Sequence, residues 1–410
     1  MPPSSSRKFV LNEVPVIDQH SHMYLDEARS VGSHFFVRVM SLEAYNPDYV
    51  ISADDFQKLE KGDAVENKYH KEVFNRGVEA GRTSLFLVES LNEMARFLGC
   101  ADDLDTIMRE RNKRSGDLKS YAGELYKDAR LKTLILSDYR FRSTVGSPIQ
   151  TKNKLVIHTV LFSSLDGASS LSEALNAFCA SLEEHIKKKG FVGMKSMIAY
   201  GGIRRGTGLD IGNPDEQTVN LEFLNYKSKQ GKVEGRELKN LEDHFTRRAL
   251  EYCVKLDVPL EFHTGIGDLD VITDKCNPML LGNLLKDEEL RKAKVILLHG
   301  SYPYVAEGAW MAHFFPNVYL DCSILFYTHH LSAVKRFEEA LEMAPYSKLL
   351  YSSDGGVLPE SHWFAAKSAK RALEAVLSQL VSAETLSENE AFDLGERFFH
   401  KNAEALFRLN

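Results

Sequence analysis

Residues 14–25 read VPVIDQHSHMYL, a short apolar run that ends in Asp-x-His-x-His. On an extended strand alternate side chains share a face, so His20 and His22 point the same way, about 7 Å apart along the chain. Four more residues of metal-ligating or proton-handling type lie at or near the ends of later apolar runs. His263 closes LEFHTG, His299 closes VILLHG, Asp354 closes LYSSDGG, and Lys195 lies within GMKSM. Neutral imidazoles and a carboxylate are the donors that suit Zn2+ or a similar divalent ion, Mn2+ among them. Such an ion lowers the pKa of a bound water and polarises a carbonyl oxygen. A carboxylate beside that water takes up its proton, and a nearby imidazole orients or stabilises the developing oxyanion. The chemistry is hydrolysis without a protein nucleophile. Each residue alone has a plainer explanation: a core histidine bonded to backbone, a turn aspartate before Gly355 and Gly356, a snorkelling lysine. Their common place at the ends of successive runs argues for one shared ion.

Such convergence needs strands that all end on one side. Candidate strands are 14–20, 131–138, 154–160, 191–200, 258–265, 293–300, 317–323 and 348–354. Several are apolar nearly throughout, as expected of strands buried on both faces of a parallel sheet. Helical patterns at 240–256, 303–314 and 331–343 separate the later ones. The expectation is an α/β fold, a distorted TIM (β/α)8 barrel. A doubly wound open sheet is the alternative, but no Gly-rich phosphate loop follows any strand. A mostly helical insertion fills 23–130, in which GCADD marks a helix stop and a new N-cap. A Gly-rich and then charged loop is expected at 201–238, and two terminal helices at 361–406. Residues 1–13 are expected to form a flexible tail and 14–410 a single barrel.

The bulk composition narrows the setting. The 410 residues are 43% hydrophobic and carry a net charge of -7, from 51 basic and 58 acidic residues. The charges are interspersed, which gives no nucleic-acid surface. Cys100, Cys179, Cys253, Cys276 and Cys322 form no CxxC, which favours free thiols in a reducing compartment. MPPSSSRKFV lacks the apolar core of a secretory signal, and no apolar run reaches the roughly 18 residues of a membrane span. The expectation is a cytoplasmic protein with a small-molecule substrate, no nucleic-acid or membrane partner, and a homo-oligomeric state, simplest as a dimer. His158 is expected on the third strand in a structural role. His329 and His330 follow the seventh strand, and the remaining histidines fall on helices or loops.

The segments IDQHSHMY, SLNEMARFLGC, GMKSMIAY, EFHTGIGDLD, NPMLL, VILLHGSYPY, FFPNVYLD and YSSDG resemble the amidohydrolase superfamily. The match is closer to its amidohydrolase 2 branch, found in FluG-type and nodulin/glutamine-synthetase-like proteins. The resemblance implies that His20, His22, His263 and Asp354 hold a metal and that Asp354 is also the general base. His299 takes the position that binds a second metal in some members and polarises substrate in others. Lys195 takes the position of a carboxylated lysine that bridges two metals in some members, so one ion or two stays open. Relatives tend to read AYRSGL where this chain reads AYGGIRRGTGL. Arg204 or Arg205 is therefore the candidate for anchoring a substrate carboxylate, with Tyr200 beside it and Asp268 as a candidate for the substrate amine. Relatives are fused to a glutamine-synthetase-like portion, which these 410 residues do not contain. Enzymes of that kind make γ-glutamyl amides, so the resemblance implies an amidohydrolase acting on a C–N amide bond, with γ-glutamyl amides as leading substrates. Two alternatives are a metal-dependent non-oxidative decarboxylase of the same branch and a non-catalytic signalling or scaffold barrel.

Overall fold

The apolar runs become strands because helices and the barrel interior cover both of their faces. A computed structural model describes residues 9–41, 51–61, 63–137, 144–202, 205–326 and 330–409. Its strands are β1 (Val16–Ser21), β2 (Leu131–Leu136), β3 (Gln150–Val156), β4 (Gly193–Ser196), β5 (Leu260–Phe262), β6 (Val295–Leu297), β7 (Val318–Asp321) and β8 (Leu349–Leu350). They pair in parallel in chain order. The two ends of the series approach each other where Gln19 N donates to Tyr351 O (3.4 Å) and Asp354 N to His20 O (2.9 Å). The result is the nearly closed TIM barrel of α/β class expected from the sequence. β4, β5, β6 and β8 are buried at every residue, and β6 and β8 are accordingly apolar throughout.

Three local expectations need correction. The third strand is Gln150–Val156 rather than 154–160, and Ile157–Gly167 is a helix. His158 therefore sits in the first turn of that helix and not on the strand. The run IHTVLF is apolar enough for either element, and its burial against the barrel wall decides for helix. The stretch 201–238 is not all loop: Glu216–Ser228 is a helix, N-capped by the Asp215 side chain on Thr218 N. The expected tail is tied down from Phe9 onward. Leu11 is fully buried, its backbone N–H donates to Glu374 Oε1 (2.6 Å), and Lys370 Nζ bonds the carbonyls of Asn12 and Val14.

Other readings hold. GCADD ends one helix at Gly99 in the left-handed region (φ 70°), and Asp103 caps the next through Thr106 N. All five cysteines are free. Among the described residues, no helix is long and apolar enough to cross a membrane. The helical insertion is pinned to the long helix Pro359–Ser382 by a buried ion pair. Arg111 Nε donates to Glu360 Oε1 (2.6 Å), which also accepts from the Tyr121 hydroxyl (3.0 Å). Glu360 follows Asp354 by six residues, so this contact braces the end of the barrel where the candidate ligands gather.

Candidate metal centre

β1 and the turn after β8 bring three of the expected ligands together. One ligand atom from each of His20, His22 and Asp354 lies within 4.8 Å of the other two. His20 Nε2 is 3.2 Å from Asp354 Oδ1, and His22 Nε2 is 3.5 Å from the same oxygen. His299 Nδ1 stands 3.7 Å from Asp354 Oδ2. The His299 ring centroid is 5.5 Å from that of His20 and 4.5 Å from that of His263. His263 lies outside the three-residue group, but its Nε2 is buried and meets no hydrogen-bond partner among the described residues. Two imidazoles and a carboxylate within bonding reach of one point, with a buried unpaired nitrogen nearby, are a donor set that fits a divalent ion.

The backbone is bent to present these groups. Asp354 (φ 48°) and His299 (φ 68°) both adopt the left-handed conformation, at a cost of about 1–2 kcal/mol each for a non-glycine residue. Asp354 N donates to His20 O, and His299 N donates to Asp321 Oδ1 (2.9 Å), which holds both in place. The glycines after two of the histidines are also required. Gly265 has φ 74°, and a Cβ there would fall 2.1 Å from Tyr302 O; one on Gly300 (φ 59°) would fall 2.6 Å from Leu325 Cδ2. These clashes explain the HTG and LHG motifs.

Beneath the ligands lies a buried layer of charge that orients them. His20 Nδ1 is 2.9 Å from Glu261 Oε2, and the Ser137 hydroxyl is 2.8 Å from the same nitrogen. A carboxylate only accepts, so Nδ1 carries the proton and Nε2 presents its lone pair to the Asp354 side. Lys154 Nζ contacts Glu261 Oε1 and donates to Gln19 O, with neither Lys154 nor Glu261 exposed. Burial alone would raise the Glu261 carboxyl, but the Lys154 ammonium, with His20 and Lys195, brings it down to about 2. Burial draws Lys154 below its usual range against the pull of Glu261. Both its partners are acceptors, so it stays the donor they need. Lys195, also buried, is lowered by desolvation to about 8, with Glu261 and Asp354 opposing. Burial opposes the charge on Asp354 too, yet His299, His20 and His22 hold its carboxyl well below the ordinary range.

A second chain fixes His299. Its Nδ1 is 2.9 Å from Ser323 Oγ, and that hydroxyl donates to Asp321 Oδ1 (2.7 Å). Serine has one proton, so it accepts from His299, whose Nδ1 carries the hydrogen. Burial holds this imidazole neutral, at about 3. Nε2 then offers a lone pair and not an N–H. A neutral imidazole with one unprotonated nitrogen can serve as a metal ligand or a proton acceptor.

The candidate substrate residues are placed less uniformly. The Tyr200 hydroxyl lies 2.7 Å from His263 Nδ1, so it orients that ring. The Arg205 guanidinium lies over the Phe162 ring, 5.2 Å from its centroid. Asp268 is exposed on the segment that follows β5, and the short helical turn after it starts from Ile272. Arg204 and His329 lie outside the described residues. Sequence reasoning missed Glu261, Lys154, Asp321 and Ser323. The available signal was charge inside apolar strands.

Residues 167–409 match the model of the amidohydrolase family. The chain belongs to that family. A stretch of 243 residues is 32% identical to the protein fluG of Emericella nidulans, covering 57% of this chain and 27% of that protein. The match thus spans about a quarter of that relative's length. Among solved structures, a Lactobacillus casei protein assigned as a metal-dependent hydrolase superposes with a TM-score of 0.77 at 24% identity, over 97% of this chain and 96% of its own. A uronate isomerase from Thermotoga maritima superposes with a TM-score of 0.68 at 14% identity, over 97% and 95%. These two likenesses concern the fold alone. Family membership implies a divalent metal, in keeping with the donor set of His20, His22 and Asp354.

Proposed function

We propose that this amidohydrolase is a metal-dependent hydrolase of C–N amide bonds, with γ-glutamyl amides as its first candidate substrates. The observation that carries the reading is the convergence of His20, His22 and Asp354 at one end of the barrel, with His263, His299 and Lys195 around them. His20, His22 and Asp354 would hold the ion, with His263 as the fourth donor through its buried Nε2. A divalent ion there supplies a water activated near neutral pH and an electrophile for the amide oxygen. Asp354, kept ionised by the imidazoles around it, takes the water's proton and returns it to the nitrogen of the departing amine. Glu261 keeps the His20 lone pair aimed at the centre, and Tyr200 does the same for the His263 ring. His299 accepts a proton, or binds a second ion together with a carboxylated Lys195. Burial supports the latter, since an amine at about 8 is neutral in a useful fraction near pH 7. The substrate class rests on the glutamine-synthetase-like fusion partners of the resembling proteins.

The test is metal content per chain on wild type and on His22→Ala, followed by assay of the Zn2+- or Mn2+-loaded protein on γ-glutamyl anilides and alkylamides. About one ion per chain, lost in His22→Ala, supports the mononuclear form; about two implicates His299 and Lys195. Release of free amine and glutamate supports the reading. No glutamate from the whole panel rejects the γ-glutamyl substrates, and carbon dioxide from a dihydroxybenzoate-type acid would point to decarboxylation instead. A wild-type protein that takes up neither metal leaves only the non-catalytic barrel.

A further inference from the structure

Behind β4, four buried side chains carry polar atoms that meet no hydrogen-bond partner among the described residues. The helix Lys239–Leu256 contributes Glu242 and Thr246, one turn apart on the same face and both fully buried. The helix Ile157–Gly167 contributes His158, and the stretch after β4 contributes Thr207, 5% and 6% exposed. His158 Nε2, both Glu242 oxygens, Thr207 Oγ1 and Thr246 Oγ1 have no hydrogen-bond partner among the described residues. His158 Nε2 lies 3.9 Å from Glu242 Oε1. Burial pushes the Glu242 carboxyl well above the usual carboxylate range, and the nearby Thr207 side chain opposes that rise without a well-formed hydrogen bond.

A buried polar group left unsatisfied is costly, so several together call for an occupant. The chemistry of His158 identifies it. Its Nδ1 accepts from Met197 N (3.1 Å), and a backbone N–H only donates. The proton of the neutral ring therefore sits on Nε2, and an N–H faces the carboxyl. A cation is repelled by that donor. Water suits all four groups, because it accepts from the imidazole and donates to Glu242 or a threonine hydroxyl. We propose that Glu242, His158, Thr207 and Thr246 enclose an internal water site, and that His158, braced by this water, is a positioning residue for the end of β4. Through Met197 it fixes the turn whose Tyr200 holds His263; the consequence for the metal rests on the function proposed above.

A crystal structure of the full chain, at a resolution that shows ordered water, tests the site. The expected result is one water about 2.7–3.2 Å from both His158 Nε2 and Glu242. An ion at that point, or an empty site with the four side chains bonded to one another, would overturn it. The positioning role is tested with His158→Leu and His158→Gln. Glutamine keeps an acceptor for Met197 N and a donor for the water, and leucine keeps neither. The distance from the Tyr200 hydroxyl to His263 Nδ1 should lengthen in His158→Leu and stay at the wild-type value in His158→Gln. An unchanged distance in His158→Leu, or the same change in both variants, rejects positioning. Zn2+ affinity, by chelator competition, should fall about tenfold in His158→Leu alone. If wild type binds no Zn2+, the proposed function fails, while the water and the Tyr200–His263 distance still decide this inference.

Discussion

Replacing Lys154 by methionine would take away the ammonium on which the buried Glu261 carboxylate depends, with little change in volume. Neither partner has any exposure to water. Breaking a buried pair by removing one member costs about 3–5 kcal/mol, because the remaining charge is left uncompensated. The carboxyl's own displacement gives a similar figure. Its value falls from 4.5 to about 2 through its partners, which at about 1.4 kcal/mol per unit is about 3 kcal/mol. Unfolding entropy of about 2.1 cal/mol/K per residue over 410 residues converts 3–5 kcal/mol into a Tm lowered by about 3–6 °C. The assay is thermal unfolding of chelator-treated protein, so that bound metal adds nothing.

The pH dependence has a definite sign. The folded value of Glu261 lies below its unfolded one, so its contribution is present above about pH 4.5 and is lost as pH falls towards 2. The gap between wild type and Lys154→Met should therefore be full at pH 7 and narrow on acidification. Adding Glu261→Gln to Lys154→Met should recover at least half of the loss, because the orphaned charge disappears. A Tm change below about 1 °C at pH 7, a gap that widens in acid, or a double variant less stable than the single one would refute the reasoning.

Arg111→Met should lower Tm by a similar amount of about 3–6 °C, since it strands the fully buried Glu360; thermal unfolding checks it, and Arg111→Met/Glu360→Leu should recover part of the loss. Tyr200→Phe leaves His263 Nδ1 buried without its partner. It should cost about 1–3 kcal/mol by denaturant titration and weaken Zn2+ binding at least tenfold by chelator competition. Ser323→Ala cuts the chain from His299 to Asp321. Nitrogen-15 NMR of the metal-free protein should show the Nδ1–H tautomer for His299 in wild type and a mixture in the variant, and an Nε2–H tautomer in wild type would contradict the assignment.

The ligand positions were legible because a barrel strand announces itself by its apolar run and its end by the first polar group. His20, His22, His263, His299 and Asp354 all stand at such ends, and the parallel order of the strands brings those ends together. The residues that steer them were hidden for the opposite reason. Lys154 and Glu261 lie inside strands, 107 positions apart, and meet only because β3 and β5 flank β4. Read locally, the lysine in NKLV and the glutamate in PLEF look like interruptions of a core strand. The misplaced third strand has the same origin. The expected strand 154–160 leaves out the polar QTKN, which pairs with β2, and runs on into IHTV, which is helical.

A rule for recovering such residues follows from the barrel itself. A strand covered on both faces offers a charged side chain no route to bulk water, so each charge within it must meet an opposite charge or a hydrogen-bond network in the interior. β1, β3, β4, β5 and β7 contribute Asp18, Lys154, Lys195, Glu261 and Asp321, all buried. Lys154 meets Glu261, Asp18 takes the Ser353 backbone and hydroxyl, and Asp321 takes Gln19, Ser323, Ser352 and the His299 backbone. Three carboxyls and two amines thus form a single polar floor under the histidines. Nothing in barrel stability requires that floor, since apolar side chains of similar volume would pack there at no desolvation cost. Its presence beneath the imidazoles accords with a site whose donors must keep fixed tautomers, and that requirement belongs to chemistry rather than to folding.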